Sequence, residues 1–278
     1  MMEGPLSKTV SFAAAGRRSI IDAFLPIFAS RNSLQLSTAY WDYQARLSFR
    51  PAAKDTIDIF FFGSDDAVDL ISKNANPALS ATVGSHTFYH RGTLNWLHRF
   101  ESRATFALTV SVGYDVPFQL RLFRLEKLTE IDAGLLSYTV RATLRLPVAP
   151  FLRIDAGVDF EGNRFTLDRD GTLGTGGGGG GGGGGETSIG TTTTDRLTLT
   201  MNHPAPYVAA TFTLLDNRLT IAPQFRLETL TIVGYPGTAN AFSSAFVFPE
   251  PRLAVRFQAL PWLAFRGAVG LFHQAPQP

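Results

Sequence analysis

A chain of 278 residues has room for one or two ordinary domains. Only 17% of its residues are charged against 45% hydrophobic, where soluble domains carry about 25% charge. Even so, no apolar run reaches the roughly 18 residues of a membrane-crossing helix: the greasiest stretch, Ile20 to Ala29, is broken by Asp22 and Pro26. A net charge of +2 is far from the basic footprint of a nucleic-acid binder, and the lack of cysteine excludes disulfides, thiolate metal sites and a cysteine nucleophile.

Taken in chain order, the segments alternate with period two, the signature of strands with one apolar and one polar face. Leu6 to Gly16 fits loosely. Trp41, Tyr43, Ala45, Leu47 and Phe49 then oppose Asp42, Gln44, Arg46, Ser48 and Arg50. Thr56 to Gly63 and Phe88 to Phe100 follow more loosely, and Phe106, Leu108, Val110 and Val112 oppose Thr105, Ala107, Thr109 and Ser111. The contrast is sharpest from Leu136 to Leu146, where the odd positions include Arg141 and Arg145, and from Leu152 to Glu161, where they are Arg153, Asp155, Gly157, Asp159 and Glu161. Val208, Ala210, Phe212 and Leu214 form another apolar row, Leu219 to Glu228 carries Arg226 and Glu228 on its polar side, and Leu253 to Gln258 and Leu263 to Phe272 close the series. The pattern predicts about eleven strands.

Short and long connections alternate along this series. The short ones contain Pro51 to Lys54, Glu101 to Arg103, Pro147 to Pro150, Asp216 with Asn217, and Leu260 with Pro261. Long ones are predicted over Arg17 to Gln35, Asp65 to Ser85, Asp115 to Glu130, Asn163 to His203 and Gly234 to Glu250. Membrane barrels do this because one rim has tight turns and the other carries external loops. Ten consecutive glycines, Gly176 to Gly185, fall inside the longest predicted loop, 163–203, where an insertion costs least.

Lipid on the apolar face is favoured by apolar stretches of about eleven residues, long enough to cross hydrocarbon at a tilt. Aromatics stand at strand ends, as in interfacial girdles (Trp41, Phe49, Tyr114, Tyr138, Phe151, Tyr207, Trp262). The expected lumen-facing polar residues are Asp42, Arg46, Arg141, Arg145, Arg153, Asp155, Asp159, Glu161, Arg226 and Glu228. A slip of one residue would turn Arg141 and Arg145 toward lipid, at about 2–4 kcal/mol each near the midplane.

Catalytic signals are weak. The glycine run ends Gly185-Glu186-Thr187 without the Lys-Ser/Thr of a phosphate loop. Asp168-Arg169-Asp170-Gly171 is half of a calcium loop and reads as a polar turn. His86 and His90, four apart on a strand, stand about 13 Å apart, too far to share an ion. Asp155 and Asp159 share their face with Arg153 and read as ion-pair partners rather than an acid pair. No cofactor, metal site or enzymatic activity is expected.

Glu3-Gly4-Pro5-Leu6-Ser7-Lys8, followed by Arg17-Arg18-Ser19-Ile20-Ile21-Asp22, is similar to the opening barrel strand of TonB-dependent outer-membrane receptors, with Ile20 in place of the usual aromatic. Asp55-Thr56-Ile57 through Asp66 resembles the next rising strand. Pro251-Arg252-Leu253-Ala254 with Gly270 to Pro276 is similar to a mid-barrel hairpin. The resemblance implies a barrel of about 22 strands, an N-terminal plug, import of scarce nutrients such as siderophores, an outer-membrane location, and coupling to an inner-membrane TonB complex.

The sequence is expected to lack a signal peptide, an energy-coupling box and a plug domain. The expectation is therefore an all-β, antiparallel transmembrane β-barrel domain over 1–278, incomplete at about half a barrel, touching membrane lipid and an extracellular ligand of unknown identity. The plug and TonB complex are partners expected in the full-length family. Two other readings stay open: a small passive outer-membrane channel, and a soluble β-barrel binding an apolar ligand.

Overall fold

A computed structural model describes residues 1–20, 24, 34–72, 81–124, 127–172 and 192–273. They form one antiparallel sheet of twelve strands, each bonded to its neighbour in sequence. The strands are β1 (Met2–Pro5), β2 (Val10–Arg18), β3 (Leu34–Phe49), β4 (Asp55–Ser72), β5 (Ala81–Arg99), β6 (Thr105–Arg124), β7 (Lys127–Ala149), β8 (Leu152–Thr172), β9 (Thr192–Leu214), β10 (Leu219–Gly234), β11 (Phe242–Leu260) and β12 (Leu263–Gly270). The sheet is not closed: β1 and β12 are its two edges. No helix among the described residues is long and apolar enough to cross a membrane.

Twelve strands rather than about eleven arise because the strand expected from Leu6 to Gly16 is the second arm of a hairpin whose first arm precedes it. Its first arm is Met2–Pro5, paired from Met2 opposite Ala14 to Pro5 opposite Ser11. In the turn between them, the Ser7 hydroxyl accepts from the amides of Thr9 and Val10 at 3.2 and 3.1 Å. This local bond competes with further extension.

The larger correction concerns the long connections. Asp65 to Ser85 is mostly strand, because β4 runs to Ser72 and β5 starts at Ala81. Asp115 to Glu130 shrinks to the two residues 125–126. The stretch 163–203 narrows to 173–191, which holds the glycine run and lies outside the described residues. Gly234 to Glu250 is strand from Phe242 onward. The remainder of Arg17 to Gln35 also lies largely outside the described residues. The physical reason is common to all four. Loss of apolar–polar contrast marks where a strand stops facing two different media, whereas the strand itself ends only when its amides lose partners. The short connections fall where expected. The tight turn Leu215–Arg218 takes positive φ at Leu215, Asp216 and Asn217, a region that Asp and Asn tolerate and Leu does not favour.

Register fixes the facing of every strand. Side chains paired across the ladder share a face, so the row Arg17, Asp42, Ser64, Tyr89, Asp115 lies on one side. The row Leu144, Ala156, Val208, Phe225, Pro251 lies on the other. The apolar rows carry large exposed side chains, among them Phe61 at 45%, Val208 at 48%, Phe265 at 59% and Val269 at 70% exposure. The whole surface is 18768 Å², against about 11,700 Å² expected of a compact soluble monomer of this mass. Among the described residues the sheet is a single layer with no second layer packed on its apolar face.

Candidate functional site

The polar face is the candidate site. All ten residues expected to look into a lumen lie on this face, from Asp42 and Arg46 on β3 to Arg226 and Glu228 on β10. They divide into five groups.

The largest group spans three seams. Arg141 Nε meets Asp159 Oδ1 at 2.7 Å, while Arg226 reaches across β9 to the other carboxylate oxygen, Oδ2, at 2.5 Å. Arg226 Nε also holds Glu228 Oε2 at 2.7 Å. The reach is possible because the residue between Asp159 and Glu228 in their row is Ala205, with no bulk to intervene. Arg226 has only 18% of its side chain exposed, against 70% for Arg141. The Arg226 end is therefore the less screened and the stronger of the two.

Nearer the short turns, Asp155 bridges two arginines, Arg145 at 2.9 Å and Arg153 at 3.1 Å. Arg153 also donates to Thr211 Oγ1 at 3.3 Å. This group carries one uncompensated positive charge. Arg46 pairs with Asp58 at 2.9 Å, and the Ser48 hydroxyl donates to the same oxygen at 2.5 Å. Asp42 accepts from Arg17 Nε at 2.8 Å and from the Tyr40 hydroxyl at 2.7 Å. Glu161 stands apart, accepting from Asn163 at 3.1 Å.

The small polar row of Thr105 to Ser111, expected on this face, bonds to β5, with Thr93 donating to Ser111 at 3.2 Å and Thr109 to Asn95 at 2.8 Å. Two groups on this face were not foreseen. Arg91 pairs with Asp115 at 3.0 Å. Glu250, in a stretch expected to be loop, is 1% exposed. It accepts from the His273 backbone N–H at 2.6 Å and from Arg252 at 2.5 Å. The alternation of Glu250, Arg252, Arg256 and Gln258 was the signal that could have found it. It was obscured because Pro249 and Pro251, flanking Glu250, read as breakers.

Outside the apolar stretch of β4, burial and the neighbouring Asp65 push the Asp66 carboxyl up. Its Oδ1 is buried with no hydrogen-bond partner. Asp168, expected in a polar turn, is in β8 and pairs with Arg196 at 3.0 Å. His86 and His90 lie on β5 with separate partners, Asp65 at 2.8 Å and the Tyr43 hydroxyl. Among the described residues no group of three or more His, Cys, Asp or Glu is arranged to hold a metal.

No family model matches the sequence, and no curated protein matches it. Solved structures do match. BauA, the ferric preacinetobactin receptor of Acinetobacter baumannii, superposes with a TM-score of 0.61 at 10% identity, over 96% of this chain and 43% of that one. The copper transporter OprC gives 0.59 at 11%, over 94% and 40%. FyuA, the ferric yersiniabactin uptake receptor of Yersinia pestis, gives 0.57 at 11%, over 93% and 42%. The twelve-stranded sheet thus has the fold of part of each of these structures. The chain spans about two fifths of the length of these structures.

Proposed function

We propose that this sheet is part of the wall of an outer-membrane transport barrel, with its apolar face in lipid and its Arg–Asp face toward an enclosed aqueous passage. The observation that carries the reading is the register. From β6 to β12 it collects the apolar rows beside the short turns on one face, with large exposed side chains, and the ten charged candidates, from β3 to β10, lie on the other. In water a soluble monomer rarely exposes a contiguous apolar face of this kind. In hydrocarbon it is the required surface. This disfavours a soluble barrel, whose apolar face turns inward.

Within this reading the ion-paired ladder docks a plug by polar contacts, and ligand is received at the rim opposite the short turns. Energy comes from a TonB complex, and the cargo is a metal ion or its chelate, the class named for the structural neighbours. Charge reversal of Arg141 and Arg145 together then alters uptake or plug retention; unchanged behaviour would leave them as wall residues only.

The facing itself is tested with single cysteines at Val140 and Arg141 in the otherwise cysteine-free chain. A membrane-impermeant thiol reagent should label position 141 and spare 140. Free labelling at 140 with protection at 141 would overturn the membrane assignment. Conductance in planar bilayers without energy coupling would replace active uptake by a passive channel.

A further inference from the structure

The two faces of the sheet exchange polarity partway along its strands. β7 and β8 pair without interruption from Thr129 opposite Gly171 to Pro147 opposite Arg153, so side-chain parity is constant along both. Near the short turns the odd positions of β7 are Arg145, Thr143 and Arg141, on the Arg–Asp face; toward the opposite rim they become Leu135, Ala133 and Ile131. On β8 the odd positions pass from Asp159, Glu161 and Asn163 to Phe165 and Leu167. The even positions, on the outward face, change the other way, from Tyr138 and Phe160 to Asp132 and Asp168.

Neighbouring rungs carry the exchange across four strands. Phe118, Ala133, Leu167 and Leu197 stand in one row on the inward face. Gln119, Asp132, Asp168 and Arg196 stand in the next row on the outward face, where Arg196 pairs with Asp168 at 3.0 Å. One rung farther, Leu120 faces inward beside Ile131, and Arg121 pairs outward with Glu130 at 3.2 Å. An outward row of ion pairs is out of place in hydrocarbon and at home in water. The inward apolar surface is open: Phe118 is 42% exposed, and Phe242 and Phe246 on the same face of β11 are 46% and 45% exposed.

The composition of this inward wall limits what it can receive. From the row of Leu135, Phe165 and Leu199 outward, Arg169 is the one charged inward side chain on β7 to β9 among those described. Asp115, at the border of the wall, is held by Arg91. A polyanionic chelate is recognised by clustered arginines. A bare metal ion needs several nitrogen, oxygen or sulfur ligands, and no such group of His, Cys, Asp or Glu occurs among the described residues. Either would lose its hydration here without gaining partners, whereas contact with Leu, Ile and Phe favours apolar area. We propose that the strands leave the membrane near the rung of Leu136 and Arg164, and that the apolar wall beyond it binds an uncharged chelate with an aryl or alkyl surface. This rests on the transport-barrel reading above and narrows its cargo; the ion-paired rows nearer the short turns are left to the plug.

The test follows Ile131→Cys, Asp132→Cys and Val140→Cys, each alone, with a membrane-impermeant thiol reagent in the full chain folded into phosphatidylcholine vesicles. Without ligand, positions 131 and 132 should label and 140 should not. Gallium tris(benzohydroxamate), uncharged and aryl-faced, should slow labelling at 131 several-fold and leave 132 unchanged. Gallium tris(acetohydroxamate), uncharged but bearing only methyl groups, should protect less, and gallium citrate, an anion, not at all. Leu120→Gln/Leu167→Gln should abolish the protection while 132 still labels and 140 is still spared, which reports an inserted sheet. Leu120→Ile/Leu167→Ile should keep the protection. Failure of 132 to label would put its face in lipid, and closure of 131 without ligand would mean that protein covers the wall; either overturns the site. So does equal protection by citrate, no protection by the aryl complex, or protection that survives the glutamine pair. Labelling at 140 overturns the membrane reading itself.

Discussion

Two seams of the same sheet, β7/β8 and β9/β10, hold together by opposite means. The β7/β8 ladder is continuous from Thr129 opposite Gly171 to Pro147 opposite Arg153. Midway along it Tyr138 lies over Gly162, its ladder partner, and its hydroxyl donates to Asn202 on β9 at 2.8 Å. The ring fills the space where a β-carbon would be. The β9/β10 ladder is broken twice, at Pro223 and where Pro204 and Pro206 stand opposite Leu227 to Leu230. Even-numbered residues of β9 point their backbone groups at β10, so both prolines remove donors from that seam and none from the β8 side, whose pairing is unbroken. The carbonyl of Pro204 accepts instead from the Thr229 hydroxyl at 2.7 Å. One seam is locked by shape, the other patched by a side chain. In hydrocarbon the difference matters, because an amide or carbonyl without a partner there costs several kcal/mol.

Four predictions break or sharpen this contrast, in order of expected effect. Gly162→Ala drives a β-carbon into the Tyr138 ring and should cost about 1–3 kcal/mol, read from urea unfolding in vesicles. Adding Tyr138→Ala should recover part of that loss, and a purely additive double variant would refute the joint. Asp159→Ala strips Arg226 and Arg141 of their shared partner and should cost about 1–3 kcal/mol, as for a hydrogen bond to a charged group. Asp155→Ala, whose arginines are half exposed, should cost under about 1 kcal/mol. Equal losses at the two aspartates would show that exposure does not rank these pairs.

Replacing Pro204 and Pro206 by alanine restores two donors at the broken seam. Amide exchange over Leu227 to Leu230 should slow, with a gain of about 1 kcal/mol per bond formed; unchanged exchange would mean that the strands stay apart for another reason. The smallest effect is at Asp66. Its folded-state pKa is raised, so the folded chain binds the proton more tightly than the unfolded chain does. Its contribution is intact below the ordinary carboxyl range and declines as pH rises through and above that range. Asp66→Asn should flatten this dependence, stabilising at neutral pH and changing little in acid; parallel curves for the two proteins would remove Asp66 as the cause.

The polar candidates show how far a single chain can be read. Arg141, Arg145, Arg153, Asp155 and Asp159 could be placed on one face from parity alone, and they sit on one face. Which arginine takes which aspartate could not. Arg226 and Asp159 are 67 residues apart in sequence, and they meet because β9 offers an alanine between them. Glu250 was missed because two prolines hid an otherwise regular alternation. Asp58, the partner of Arg46, was missed because its strand has Phe60 and Phe62 on the polar side, which blurs the contrast on which period two depends.

What the sequence determined by itself was the facing of each strand and the position of the tight turns. Successive side chains of an extended backbone must point to opposite sides, and proline, glycine and small polar clusters mark where extension stops. What only the tertiary structure decided was how far the strands run beyond the apolar stretch, which charges share a partner and where the ladder is broken. Those depend on the neighbouring strand's register and on donors held by residues tens of positions away, which no local pattern encodes.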